Sequence, residues 1–136
     1  MTEPTGVTLR TAIEVMEAAA KRADEIGVPM NIAVVDAGNN LVTFARMDGA
    51  WLGSIDIAQG KAYTARAFDM STEALAPLCQ PGKPLFGINA SNDGRIIIFP
   101  GGIPLRANGS VVGGIGVSGG SVEQDQDVAQ AGAAAF

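Results

Sequence analysis

Histidine is absent from all 136 residues of the chain. That removes serine–histidine and cysteine–histidine catalysis, and it removes the commonest protein ligand of metals. With Cys79 as the single cysteine, a zinc site has neither of its usual donors and no metal site is expected. An intrachain disulfide is excluded as well, which fits a reducing compartment. Aromatic residues make up only 5% of a chain that is 47% hydrophobic, so the core is built from Ala, Val, Ile and Leu. Basic clusters are missing: 9 Lys and Arg stand against 14 Asp and Glu, a net charge of −5. Such a chain carries no nucleic-acid footprint. No apolar run approaches the ~20 residues of a membrane span. The opening Met1-Thr2-Glu3-Pro4 lacks the basic and apolar regions of a signal peptide, and the expected address is the cytoplasm.

What the chain does have is glycine, 18 of them, and they concentrate where the rest of the chain finds its partner. Phe99 to Gln130 opens on Pro100-Gly101-Gly102, where a fixed φ meets two permissive residues and the backbone must bend. Ile103–Ala107 reads as a strand, Asn108-Gly109 as a tight hairpin turn, and Val111–Val117 as the returning strand. Gly113, Gly114 and Gly116 strip that strand of side chains and let another backbone approach. Ser118-Gly119-Gly120 is a loop, and Ser121 with Gln124 makes a capping box that opens the last helix through Asp125 and Asp127. Free N–H groups in such a loop suit an anion. Glu123, Asp125 and Asp127 crowd the same end and oppose one.

Upstream, Thr8 to Ile26 carries Leu9, Ile13, Met16, Ala20 and Ala23 at helical spacing, with Thr8 as N-cap and Gly27 as the stop. Asn31–Val35 is a nearly all-apolar strand, buried on both faces. Asp36 to Asn40 turns the chain and Leu41–Arg46 returns it. Asp36 is open to two readings, an Asx-turn residue or a pocket carboxylate. Arg46 and Asp48 are expected to hold each other or to cap the next helix. That helix, Ser54–Phe68, places Lys61 on a stripe of small residues with Ser54, Ala58 and Ala65. Such a lysine either snorkels or meets a carboxylate or ligand anion, with Asp36 and Asp125 as the candidate carboxylates. Gly60 beside it suggests a close crossing or a ligand wall, and Tyr63 is the only tyrosine. Ser71 caps a short turn ended by Pro77. Cys79 to Pro84 is loop, Leu85–Ile88 a short strand, Asn89–Gly94 a surface loop, and Arg95–Phe99 a central strand. The pattern is one domain over residues 1–136, α+β, with an antiparallel sheet of about five strands and helices on more than one face.

Three stretches in order carry a resemblance: IAVVDAGNNLVTFARMDGAWLGSIDIA, QGKAYTARAF, and PGGIPL followed by GSVVGGIGVSGGSVEQD. The chain resembles the GlcG/HbpS-like family, also called the haem-degrading domain or DUF336 family, which includes the C-terminal domain of PduO-type proteins. The resemblance implies a profilin-like, three-layer α/β/α fold, assembly as homo-oligomers, and binding of haem. Without histidine, a haem iron would have to be met by Tyr63, Cys79, Met16, Met30, Met47 or Ser118.

Two functions stay open on these residues. One is a small-ligand-binding protein for haem or another tetrapyrrole, an accessory or sensor in a catabolic pathway, with Tyr63, Pro100, Gly101, Gly102, Gly116, Ser118 and Asp125 around the ligand. The other is a cofactor-independent isomerase, lyase or hydrolase acting on a small carbonyl or carboxylate metabolite. Lys61, Asp36 and Arg46 would be its active groups, with the Pro100-Gly101-Gly102 turn as backbone donor.

Overall fold

Helix α1 (Leu9–Ile26) begins where the sequence provides a cap: the Thr8 hydroxyl accepts from the Thr11 N–H while Thr11 answers the Thr8 N–H. It ends at Gly27, which takes the left-handed φ of 72° that a helix stop needs. These coordinates are a computed structural model, and they describe residues 6–136; the Met1–Pro4 stretch read above lies outside them. Strands β1 (Asn31–Asp36) and β2 (Leu41–Arg46) follow as a hairpin, then helix α2 (Ser54–Phe68) and the short α3 (Thr72–Leu75). After an irregular stretch come β3 (Gly102–Ala107), β4 (Ser110–Ser118) and α4 (Val122–Ala134). The β3–β4 turn places Asn108 at φ 53° and Gly109 at φ 80°, positive at both central positions as a type I′ turn requires.

The sheet runs β2-β1-β4-β3, antiparallel throughout. Helix α2 covers one face, and α1 with α4 covers the other. Residues on β1 alternate between the two cores accordingly. Ile32 and Val34 join Val15, Ala19 and Val128 on the α1/α4 side, while Ala33 and Val35 meet Ala58 and Ala62 of α2. The three-layer α/β/α arrangement that the family resemblance implies is therefore present, with four strands where about five were expected.

Both missing strands lie between α3 and β3. Leu85 to Ile88 is held in turns, its Leu85 N–H donating to the Leu78 carbonyl. Arg95 to Phe99 pairs with no strand. Asn92, Asp93 and Gly94 all take positive φ and turn the chain onto α2. There the Ile97 N–H donates to the Thr64 hydroxyl at 3.0 Å, and Ile96 is buried beside Leu75 and Cys79. Three consecutive isoleucines look like a strand because burial and β-branching are all that sequence records. Here a helix, not a ladder, provides the burial.

Helix α2 can lie so close to β4 because Gly116 has no side chain. A Cβ at that position would run into the Ala58 carbonyl oxygen and the Ala62 N–H. Both are backbone atoms, so no rotamer change relieves the contact. Gly116→Ala is expected to destabilise the fold by about 3 kcal/mol, the upper range for overpacking, read as a lowered urea midpoint with an unchanged slope.

On the other face, Arg22 of α1 clamps Asp127 of α4 with two bonds, Nε to Oδ1 at 3.1 Å and a terminal nitrogen to Oδ2 at 3.0 Å. Hydrogen bonding to Arg22 holds the Asp127 carboxyl below its ordinary value of 3.8. A carboxylate with a depressed folded value contributes stability above its unfolded value and loses it as pH falls through the folded one. Asp127→Asn should therefore weaken wild-type stability at neutral pH and flatten its loss below pH ~4, measured by thermal melts across the acid range. Identical acid limbs in the two proteins would contradict the clamp.

Candidate functional site

Lys61 does not reach solvent. It is 0% exposed, with its Nζ donating to Asp125 Oδ2 at 2.8 Å and to the Val117 carbonyl at 2.9 Å. The Phe99 ring lies 5.0 Å from the ammonium, within cation–π range. Gly101, at φ 125°, is required beside it: a Cβ there would stand 2.6 Å from Lys61 Nζ. Desolvation pulls the Lys61 ammonium below its ordinary value, and the Asp125 charge opposes that pull. The second oxygen of Asp125 accepts from the Gly119 and Gly120 N–H groups at 3.1 and 2.9 Å. The glycine loop at the start of α4 is thus an anion site whose anion is the chain's own carboxylate.

The other site residues named from the sequence fall in several places. Asp36 is a turn residue, its Oδ1 accepting from the Gly38 and Asn40 N–H groups; Lys61 takes Asp125 as its partner instead. Arg46 ends β2 and donates to the Ala50 carbonyl. It lines an open depression of about 590 Å³ with Asp24, Met47 and Asp48, and is not ion-paired with Asp48 among the described residues. The backbone donors expected at Pro100-Gly101-Gly102 are consumed internally, Gly101 by Gln126 Oε1 and Gly102 by the Thr72 hydroxyl. Ser118 is buried at the end of β4, opposite Asn31. Cys79 is buried with its thiol on the Leu75 carbonyl, and burial pushes that thiol up.

Tyr63 stands apart from Lys61 on α2 and faces a different space. A cavity of about 460 Å³ lies between α2, the β1–β2 turn and the irregular segment before β3. Val35, Leu41, Ile57 and Ile97 give it apolar walls, and Asn39, Asp56, Gln59, Tyr63 and Arg95 give it polar ones. The Arg95 guanidinium sits 4.1 Å from the Tyr63 ring centroid, and the Tyr63 hydroxyl meets Asn92 Oδ1 at 3.1 Å. Gly60 makes the close crossing the sequence suggested, letting Ile97 pack directly on α2, and it also lines this cavity. Arg95 and Ile97 were not legible as site residues, because the segment holding them reads as a strand. Leu41 and Ile57 look like ordinary core positions.

Layer order, the glycine-dependent seam between α2 and β4, and an internally neutralised glycine loop define an α/β/α domain with a cavity of mixed polar and apolar lining on the outer side of α2. Comparison with known proteins extends this. The profile described as "Haem degrading protein HbpS-like" matches residues 7–134, and the chain belongs to that family. It is 40% identical over 136 residues to the corrinoid adenosyltransferase PduO of Salmonella typhimurium, covering 99% of this chain and 40% of that protein. Thus the chain spans less than half the length of that relative. Among solved structures, the Klebsiella pneumoniae protein ORFY superposes with a TM-score of 0.95 at 40% identity, covering 100% of this chain and 94% of that one. The PduOC:haem complex superposes at 0.92 with 38% identity, covering 96% and 94%.

Removing one partner of a buried ion pair strands the other charge, at a cost of about 3–5 kcal/mol. Lys61→Met should fall in that range by urea unfolding. Adding Asp125→Asn to it should recover more than half of the loss, since the amide oxygen still accepts from the glycine loop. Additive losses in the double variant would show that the two side chains are not coupled.

Proposed function

We propose that this chain is a tetrapyrrole-binding accessory or sensor protein of a catabolic pathway, and that the ligand lies in the cavity walled by α2 and the segment before β3. Support comes first from the cavity itself. Its volume of about 460 Å³ lies within the range of small-molecule sites, and apolar walls with a few polar groups are what such sites offer. The relatives supply the class of ligand: the PduOC structure, 38% identical, is a haem complex.

The residues present fit an iron porphyrin. Val35, Leu41, Ile57 and Ile97 would meet the macrocycle, Arg95 would neutralise a propionate, and Tyr63 would face the iron. A phenolate is an established iron ligand in haem proteins. Of the iron ligands weighed from the sequence, only Tyr63 lines this cavity; Met47 lines the other depression, Met30 is wholly buried, and Cys79 is buried in a separate cluster. When bound, haem would supply redox and oxygen-binding chemistry. The chain's own part is to exclude water from one face of the macrocycle and to hold a phenol against it. Lys61-centred catalysis gains no such support, because its ammonium is sealed between Asp125, Val117 and Phe99.

A hemin titration followed at the Soret band tests the reading. A saturable, one-to-one shift is expected in the wild type. Tyr63→Phe should weaken binding about tenfold or more, equivalent to ~1.4 kcal/mol, and change the band position. Cys79→Ser should leave both unchanged. If hemin gives no saturable shift, or if Tyr63→Phe titrates like the wild type, the cavity is not the haem site.

A further inference from the structure

Residues 91–97 cross the outside of α2 and form one wall of the cavity through Gly94, Arg95 and Ile97. Their conformation is not supported by a ladder. From Arg95 to Phe99 the backbone is irregular. Just before it, Asn92 and Asp93 hold left-handed φ values of 53° and 56°, with Gly94 at 74°. Two successive non-glycine residues in that region persist only where neighbours over-determine them.

The neighbours that do so converge on α2, and chiefly on Tyr63. Its hydroxyl holds Asn92 Oδ1 at 3.1 Å, and its ring carries the Arg95 guanidinium at 4.1 Å. Arg95 in turn donates from Nε to the Asn92 carbonyl at 2.9 Å, so both anchors bear on one turn. Thr64, the next residue on the helix, adds the bond from the Ile97 N–H. Tyr63 is therefore at once a wall of the cavity and the fastening of the segment that closes it.

We propose that residues 91–94 are a ligand-released strap: a ligand that engages the Tyr63 hydroxyl and draws Arg95 off the ring onto its own anionic group takes both fastenings from this turn, so filling the cavity frees the strap while Ile96 and Ile97 stay packed against α2 and its neighbours. The inference rests on the tetrapyrrole reading for the identity of the ligand, and on the Tyr63 contacts alone for the coupling. It assigns the sensing output to the exposed polar turn Ser91–Gly94. Occupancy is thereby converted into a change on the surface.

Hydrogen-exchange mass spectrometry on the full chain, with and without hemin, tests this, with the Soret titration run on the same samples. Saturating hemin should raise exchange severalfold in peptides covering 91–94 while leaving Ile97, β1 and β4 unchanged. Asn92→Gly keeps a residue at ease with positive φ and removes only the side-chain anchor. This variant should exchange faster in the strap without hemin and respond little when hemin is added. If the Soret band saturates while strap exchange is unchanged or slower, the release is overturned and the tetrapyrrole reading stands. If the band never saturates, the reading falls and the strap loses its trigger.

Discussion

One buried ion pair organises this molecule. Lys61 comes from the middle of α2, Asp125 from the first turn of α4, and they meet at 2.8 Å on opposite sides of the sheet's end. The lysine also takes the Val117 carbonyl, and the aspartate also takes the glycine loop. Through two side chains, both helical layers, β4 and the loop that leaves it are referenced to a single point. A buried pair of this kind adds little net stability over a well-packed apolar pair. What it adds is a penalty for every arrangement in which the two charges miss each other. Around it the backbone is pared to glycine, because Gly101 and Gly116 leave no room for a Cβ between the lysine, the sheet and α2.

Sealing the ammonium inside also decides which side of α2 is available for a ligand. The stripe with Lys61, Ala58 and Ala62 is spent on the sheet. The outward stripe, with Gly60 and Tyr63, is left to be covered by an irregular segment that carries Arg95 and Ile97. A covering of this type is held by side chains of Tyr63 and Thr64 and by the packing of Ile96, not by a ladder. The same helix thus carries one face packed on a sheet and one covered by irregular chain.

Most of the fold was legible from local signals. Thr8 and Ser121 as caps, Gly27 as a stop, Asn108-Gly109 as a hairpin and the apolar run of β1 each act within a few residues of themselves. The misreading of Arg95–Phe99 as a strand has a plain cause. Ile96, Ile97 and Ile98 are apolar and β-branched, and nothing local distinguishes burial against a helix from burial within a sheet. Arg95 and Ile97, and with them part of the cavity wall, were lost to that ambiguity. Asp36 illustrates the reverse case: its turn role was available from Asx-turn chemistry alone, and its Oδ1 bonds follow that chemistry.

By itself, then, the sequence determined the order of the main helices and the two hairpins, the capping chemistry, the absence of histidine-based catalysis and the fact that Lys61 sits on an apolar stripe. Each depends on spacing or composition, which folding does not alter. Tertiary structure alone decided that Asp125 and not Asp36 receives that lysine, that the glycine loop is filled by its own carboxylate, and that Tyr63 opens on a cavity with Arg95. The loop lies only 5 and 6 positions from its carboxylate, but the other two are meetings between residues 29 to 64 positions apart. Such meetings depend on how layers stack, and no local pattern encodes the stacking distance.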